Sequence, residues 1–141
     1  MIINKSFKID SNSNFQIIDI TSDIAAILNE INKGDGRIRD GVVNVFTRHS
    51  TSAIRINENE RGLLADFEKA LKDIVKEKDN YKHDFIDNNA ASHIRAFLLG
   101  SSESIPIMDG RLNLGTWQSV FFIELDGPRI NRTVELTFIG E

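Results

Sequence analysis

Residues 115–129 read GTWQSVFFIELDGPR, and how this run folds decides the architecture. It is nearly all apolar, with no polar residue on alternate positions through its middle. That is the pattern of a strand buried on both faces. Immediately before it, SIPIMDGRLNL at 104–114 carries the Asp-Gly signal of a tight hairpin. After it, RTVELTFIG at 132–140 alternates Val134, Leu136 and Phe138 onto one side, as a closing strand would. The C-terminal third is therefore expected to be an antiparallel meander.

Working back toward the N-terminus, 2–9 and 15–20 are short and rich in Ile and Phe, and read as two strands paired with each other. In 22–32, Ile24, Ile27, Leu28 and Ile31 recur at helical spacing, with Ser22 as N-cap and Gly34 past the end. GVVNVFTRH at 41–49 alternates and ends on His49, and AIRIN at 53–57 alternates again. The stretch from Glu58 to Lys78 places Leu63, Leu64, Phe67, Leu71, Ile74 and Val75 on one stripe of a long surface helix. Residues 87–100 form a shorter helix capped by Asn88 or Asn89 and closed by Gly100. The order ββαββααββββ does not alternate strictly, so the expected class is α+β, a largely antiparallel β-sandwich core with two to three helices.

The bulk properties narrow the function. A chain of 141 residues is expected to form one domain, 1–141. Its net charge of −4 argues against a nucleic-acid binder, which needs clustered cations, and no apolar run approaches membrane-spanning length. The basic groups GRIRD (36–40) and GPRINR (127–132) are local, and the first reads as a solvated loop. The start, MIINKSFKID, lacks the layout of a secretion signal, and the expected compartment is the cytoplasm. With no cysteine, any metal site must be built from His, Asp, Glu or amides.

The three histidines, His49, His83 and His93, all fall within 49–93. Taken singly each reads as structural: His93 shares a helical face with Ala90 and Phe97, and His83 sits in the loop YKHDF. No spacing among them is a local metal signature. Their company points the other way, since Glu58, Asp84 and Asn88–Asn89 supply the acids and amides that orient a ligating imidazole.

Three segments, RHSTSAIRINENE (48–60), YKHDFIDNNAASHIRAFLLG (81–100) and IMDGRLNLGTWQSVFFIELDGPR (107–129), resemble the signature segments of the YjbQ family, often called secondary thiamine-phosphate synthases. Lys82 stands where arginine is common, and ERGLLADF replaces an Asp-Pro-Asp stretch seen in many members. The resemblance implies an α+β sandwich, a homotrimer, and a site at or near the subunit interface. All three histidines fall on family motif positions, which implies a metal set of His49, His83 and His93. Three neutral imidazoles suit zinc, or Mn or Fe, whereas pyrophosphate release normally uses Mg. On this reading Arg129 clamps a phosphate, Ser52, Asn89, Thr116 and Gln118 bind substrate, Trp117 stacks on a ring, and Glu58 or Asp84 serves as base. The implied function is a metal-dependent enzyme acting on a small phosphorylated substrate, with weak, secondary thiamine-phosphate synthase activity. The alternatives are a metal-dependent phosphoester hydrolase and a non-catalytic trimeric ligand-binding module.

Overall fold

In the computed structural model, which describes residues 1–34 and 37–141, the first half of the chain runs β1 (Ile2–Ile9), β2 (Gln16–Asp19), α1 (Thr21–Lys33), β3 (Gly41–Thr47), β4 (Ser52–Asn57) and α2 (Arg61–Ile74). A 3₁₀ turn over Lys82–Phe85 leads to α3 (Ala90–Leu99), then β5 (Ser102–Met108), β6 (Arg111–Leu112), β7 (Ser119–Glu124) and β8 (Arg132–Gly140). The strands form two antiparallel sheets, β1-β8-β3-β5-β6 and β2-β7-β4. The class is α+β, as its sequence suggests. Gly36 of the GRIRD group lies outside the described residues; within that group Ile38 is fully buried, so the segment is not wholly a solvated loop.

The strand β7 shows why two layers form. Val120 and Phe122 point into a core shared with Val43, Val45, Ile54, Val134, Leu136, Phe138 and the apolar stripe of α1. Phe121 and Ile123 point the opposite way, into a second core with Ala53, Leu71, Leu64, Phe67 and Leu99, so α2 and α3 cover the outer face of the small sheet. Each such side chain contributes roughly 1.5–3 kcal/mol by burial. A strand apolar on both faces thus requires a sheet on one side and helices on the other.

Several pairings differ from the sequence expectation. β1 and β2 do not pair; β1 joins β8 and β2 joins β7. The last four strands are not a meander, because only β5 and β6 form a hairpin while β7 and β8 lie in different sheets. Strand patterning reports which face is buried but not which neighbour lies beside it. Residues 115–118 are an exposed turn, with the strand beginning at Ser119, so Trp117 is solvent-facing at 72% exposure. Asn89 and Gly100 bound α3 and Gly34 closes α1 as expected, but Ile20 rather than Ser22 precedes α1, and neither N-terminal flanking residue caps with its own side chain. The α1 cap is made by Asp19, whose carboxylate accepts from the Thr21 amide at 2.9 Å, and the α3 cap by Asp84, which accepts from the Ala90 amide at 3.0 Å.

At the Glu124 end of β7 the sheets are tied by a buried ion pair. Glu124, fully buried, accepts from Arg132 Nε at 2.9 Å and Nη2 at 2.5 Å, from Ser11 Oγ at 2.7 Å and from the Asp126 amide at 3.1 Å. Arg132 also donates to Thr51 Oγ1 at 2.9 Å. Burial alone would raise the Glu124 carboxyl, but the Arg132, Ser11 and Asp126 donors together bring it below its ordinary value. A carboxyl depressed in the folded state stabilises the fold above its unfolded-state value, and that contribution is lost as pH falls through the folded-state value. Glu124→Gln is therefore expected to cost about 3–5 kcal/mol at pH 7, by leaving Arg132 buried without a counter-charge, and to flatten the acid limb of the stability curve. Thermal unfolding between pH 3 and 7 checks this. A wild-type-like melting temperature at pH 7 would refute it, while Glu124→Leu combined with Arg132→Met should recover most of the loss.

Candidate functional site

The turn between β3 and β4 carries His49 from one sheet to the other. Thr47 ends β3, so His49 lies two residues beyond the strand rather than on it. The turn is held by Ser52, whose hydroxyl is 2.7 Å from Thr47 Oγ1 and donates to the His49 carbonyl at 3.0 Å. Ser52, expected to contact substrate, is buried and committed to this turn. His49 Nε2 accepts the Thr133 amide at 3.0 Å. Burial lowers the His49 pKa, and Arg132 lowers it further, with Glu124 opposing and Arg48 adding, so the ring is neutral at pH 7.

His49 and His93 face one cleft of about 320 Å³, with Ser50, Ala96, Phe97 and Ser101 among its walls. Helix α3 supplies His93 and, one turn on, Ala96 and Phe97. Its start is fixed by Asp84 and by Ser92 Oγ, which donates to the Leu125 carbonyl at 2.6 Å. Gly100, which lines the cleft, ends α3 at φ +94°, a backbone conformation that favours glycine. His93 also lines a neighbouring cleft with Tyr81, Lys82, His83 and Phe97. There His83 and His93 meet edge to face, centroids 4.8 Å apart at 85°. His83 Nε2 is buried without a hydrogen-bond partner, 3.7 Å from Asp87 Oδ2.

The remaining expected residues divide into two groups. Near α3, Asn89 Nδ2 donates to Asp126 Oδ2 at 2.9 Å, and Arg129 donates to the same oxygen at 3.0 Å and to the Asp126 carbonyl at 3.0 Å. Arg129 is about half exposed and folded back on Asp126, and Asp84 is occupied as a helix cap. The second group lies at the other end of β4 and β7. Ser52 is opposite Glu124 at one end and Asn57 opposite Ser119 at the other, a span of about 17 Å at strand rise. Glu58 follows Asn57, and Thr116, Trp117 and Gln118 precede Ser119, so one chain does not bring them to His49. Glu58 instead borders an apolar cavity between α2 and the small sheet, with Leu63, Leu64, Phe67 and Phe121 among its walls. Gln118 Oε1 accepts the Gly115 amide at 2.8 Å.

Among the described residues no group of three or more His, Asp or Glu side chains is disposed to hold a metal ion. The donors do not form a three-histidine centre, because His49 Nε2 is engaged by Thr133 and His49 meets His93 only across the cleft. What fits is a two-imidazole set, His83 and His93, with His83 Nε2 as its orphaned buried donor atom. Sequence reasoning missed Glu124, Arg132, Thr133 and Asp126. One signal was available: Glu124 is the lone charge inside SVFFIEL, and a buried charge needs a partner.

Among the described residues no helix is long and apolar enough to cross a membrane. The chain is similar to a UPF0047 protein of Methanothermobacter thermautotrophicus, 51% identical over 126 residues, covering 89% of this chain and 84% of that one. It is 32% identical over 142 residues to UPF0047 protein YugU of Bacillus subtilis, covering 96% and 98%. A crystal structure from Sulfolobus solfataricus, described as a YbjQ-like protein of unknown function, superposes with a TM-score of 0.93 at 34% identity, covering 100% of this chain and 99% of that one. An uncharacterized yjbq/upf0047-family protein of Clostridium acetobutylicum superposes at 0.84 with 36% identity, covering 97% and 99%. Residues 5–141 match the family model described as UPF0047 protein YjbQ-like, and the chain belongs to that family.

Proposed function

We propose that the protein is a cytoplasmic enzyme that acts on a small phosphorylated molecule bound in the His49–His93 cleft. The observation that carries this is the composition of the cleft: two imidazoles and the serines Ser50 and Ser101 line it, and among the described residues no carboxylate does. Such a wall offers donors to an oxyanion and no countercharge to a cation. Arg129, folded back on Asp126 at the same end of the fold, keeps Nη1 without a protein partner among the described residues, a donor available to a phosphate oxygen. His93 stands at the junction of the two clefts and lines both.

A divalent metal, zinc first, then Mn or Fe, would be held by His83 and His93. When bound it would polarise a phosphoryl oxygen. Joining a pyrimidine pyrophosphate to a thiazole phosphate is a weak, secondary activity on this reading, because the cleft lacks the oxygen ligands that Mg and a departing pyrophosphate use. The assembly is a homotrimer. Its support is the separation of the two residue groups: a head-to-tail ring brings the Glu58 and Thr116–Gln118 end of one chain toward the His49 end of the next.

Calorimetric titration with inorganic phosphate and pyrophosphate tests the cleft. His93→Ala is expected to weaken binding about tenfold or more, and a set of generic phosphoesters should show turnover that His93→Ala abolishes. Tight phosphate binding with no turnover on any phosphoester would make the protein a binding module instead. Metal content of untagged protein, with and without added Zn²⁺, is expected to be about one ion per chain, lost in His83→Ala and retained in His49→Ala. Loss in His49→Ala as well would restore the three-histidine set. Light scattering should show three chains per particle.

A further inference from the structure

The Thr133 amide can only donate. The ring nitrogen facing it, His49 Nε2 at 3.0 Å, must therefore present its lone pair, which places the ring proton of a neutral imidazole on Nδ1. Protonating Nε2 would break that bond and set a second cation beside Arg132, itself paired within the fold to Glu124. Nδ1 has no protein partner among the described residues. It is also absent from the buried polar atoms left without one, which are Arg55 Nε, His83 Nε2 and Asn89 Oδ1, so it is open to solvent or a ligand. The ring lines two clefts, one with Ser50, His93 and Ser101 and one with Arg48, Thr133 and Glu135.

We infer that His49 is an oxyanion-binding residue rather than a metal ligand: a neutral imidazole locked in the Nδ1–H tautomer by the Thr133 amide, donating to a phosphoryl oxygen in the His49–His93 cleft. This rests on the reading of that cleft as a phosphate site and gives His49 its role there. A metal cannot use Nε2 without displacing the amide, and Nδ1 as an N–H has no lone pair to give. The lock has a structural source. Thr133 follows Arg132 in β8, and Arg132 is fixed to Glu124 and Thr51, so the amide that sets the tautomer is held by the same ion pair that joins the sheets. Arg132 is a positioning residue for His49.

The test is nitrogen-detected NMR of the histidine rings in the full chain at pH 7, free and titrated with inorganic phosphate, alongside three variants. The free protein should show His49 with the proton on Nδ1, and phosphate should move that resonance. Asparagine places its amide N–H where Nδ1 sits and glutamine where Nε2 sits, so His49→Asn should keep phosphate affinity within about threefold. His49→Ala and His49→Gln should lose about 10- to 100-fold, the value of a hydrogen bond to a charged group. A metal ligand or general base would not be rescued by asparagine. An Nε2–H or doubly protonated ring in the free protein overturns the lock. Phosphate that shifts His93 but leaves His49 silent, with His49→Ala binding normally, overturns the donor role while the cleft reading stands. No phosphate response at either histidine overturns both.

Discussion

The Arg132–Glu124 pair is the constraint on which the site depends. Glu124 is the last residue of β7 and Arg132 the first of β8, so the pair ties the small sheet to the large one where both reach the β3–β4 turn. Thr51 in that turn accepts from the same guanidinium, and Ser11 closes the network by donating to Glu124 while accepting the Arg129 amide at 2.9 Å. A pair of this kind returns little net stability over a well-packed apolar substitute, because desolvating two charges costs several kcal/mol each. Its value lies in geometry. Neither charge tolerates losing the other, so the turn, the start of β8 and the loop around Arg129 are held in one arrangement, and His49 inherits its position from them.

The same strands that build the core separate the residues that a single motif unites in sequence. RHSTSAIRINENE is one short stretch, yet its histidine and its glutamates stand at opposite ends of β4, about 17 Å apart along the strand. An extended chain cannot return Glu58 to His49. GTWQ and DGPR are parted in the same way by β7. The pairing of β4 with β7 thus parts the candidate site residues between two ends of the chain, an imidazole end and a Trp117 end. A site using both can be assembled only between chains, and symmetry then repeats it once per subunit in a closed ring.

Periodicity made much of the fold readable. The alternation of Val134, Leu136 and Phe138, the stripe of α1, and the two-sided burial of Val120 to Ile123 follow directly from side-chain spacing. Partnership was not readable: that β1 joins β8 across most of the chain, or that β3 and β4 leave for different sheets, depends on long-range packing that leaves no local trace. The histidines were readable as a group, and two of them do share an edge-to-face contact. What spacing could not carry was the state of each ring, since the Thr133 amide that fixes His49 lies 84 positions away in the chain. Ser52 and Asp84 show the reverse error: residues with the right chemistry for a ligand were spent on a turn and a helix cap.

The charge arrangement around the cleft then decides what it can hold. Arg132 lies behind His49, Glu124 neutralises it within the fold, and among the described residues no carboxylate lines the cleft in front. A divalent cation placed there would meet no countercharge and would have to displace a backbone amide to reach Nε2. On the proposed reading an oxyanion would meet the His49 Nδ1–H, whose proton the Thr133 amide already fixes. The acceptors suited to a cation lie one step away, at the His83–His93 contact, where Asp87 is near and a buried nitrogen stands without a partner. His93 belongs to both clefts, so the proposed anion-binding wall and the proposed cation-binding pair would lie on either side of one imidazole. A phosphorylated ligand seated against His49 would have its far oxygens directed toward that pair.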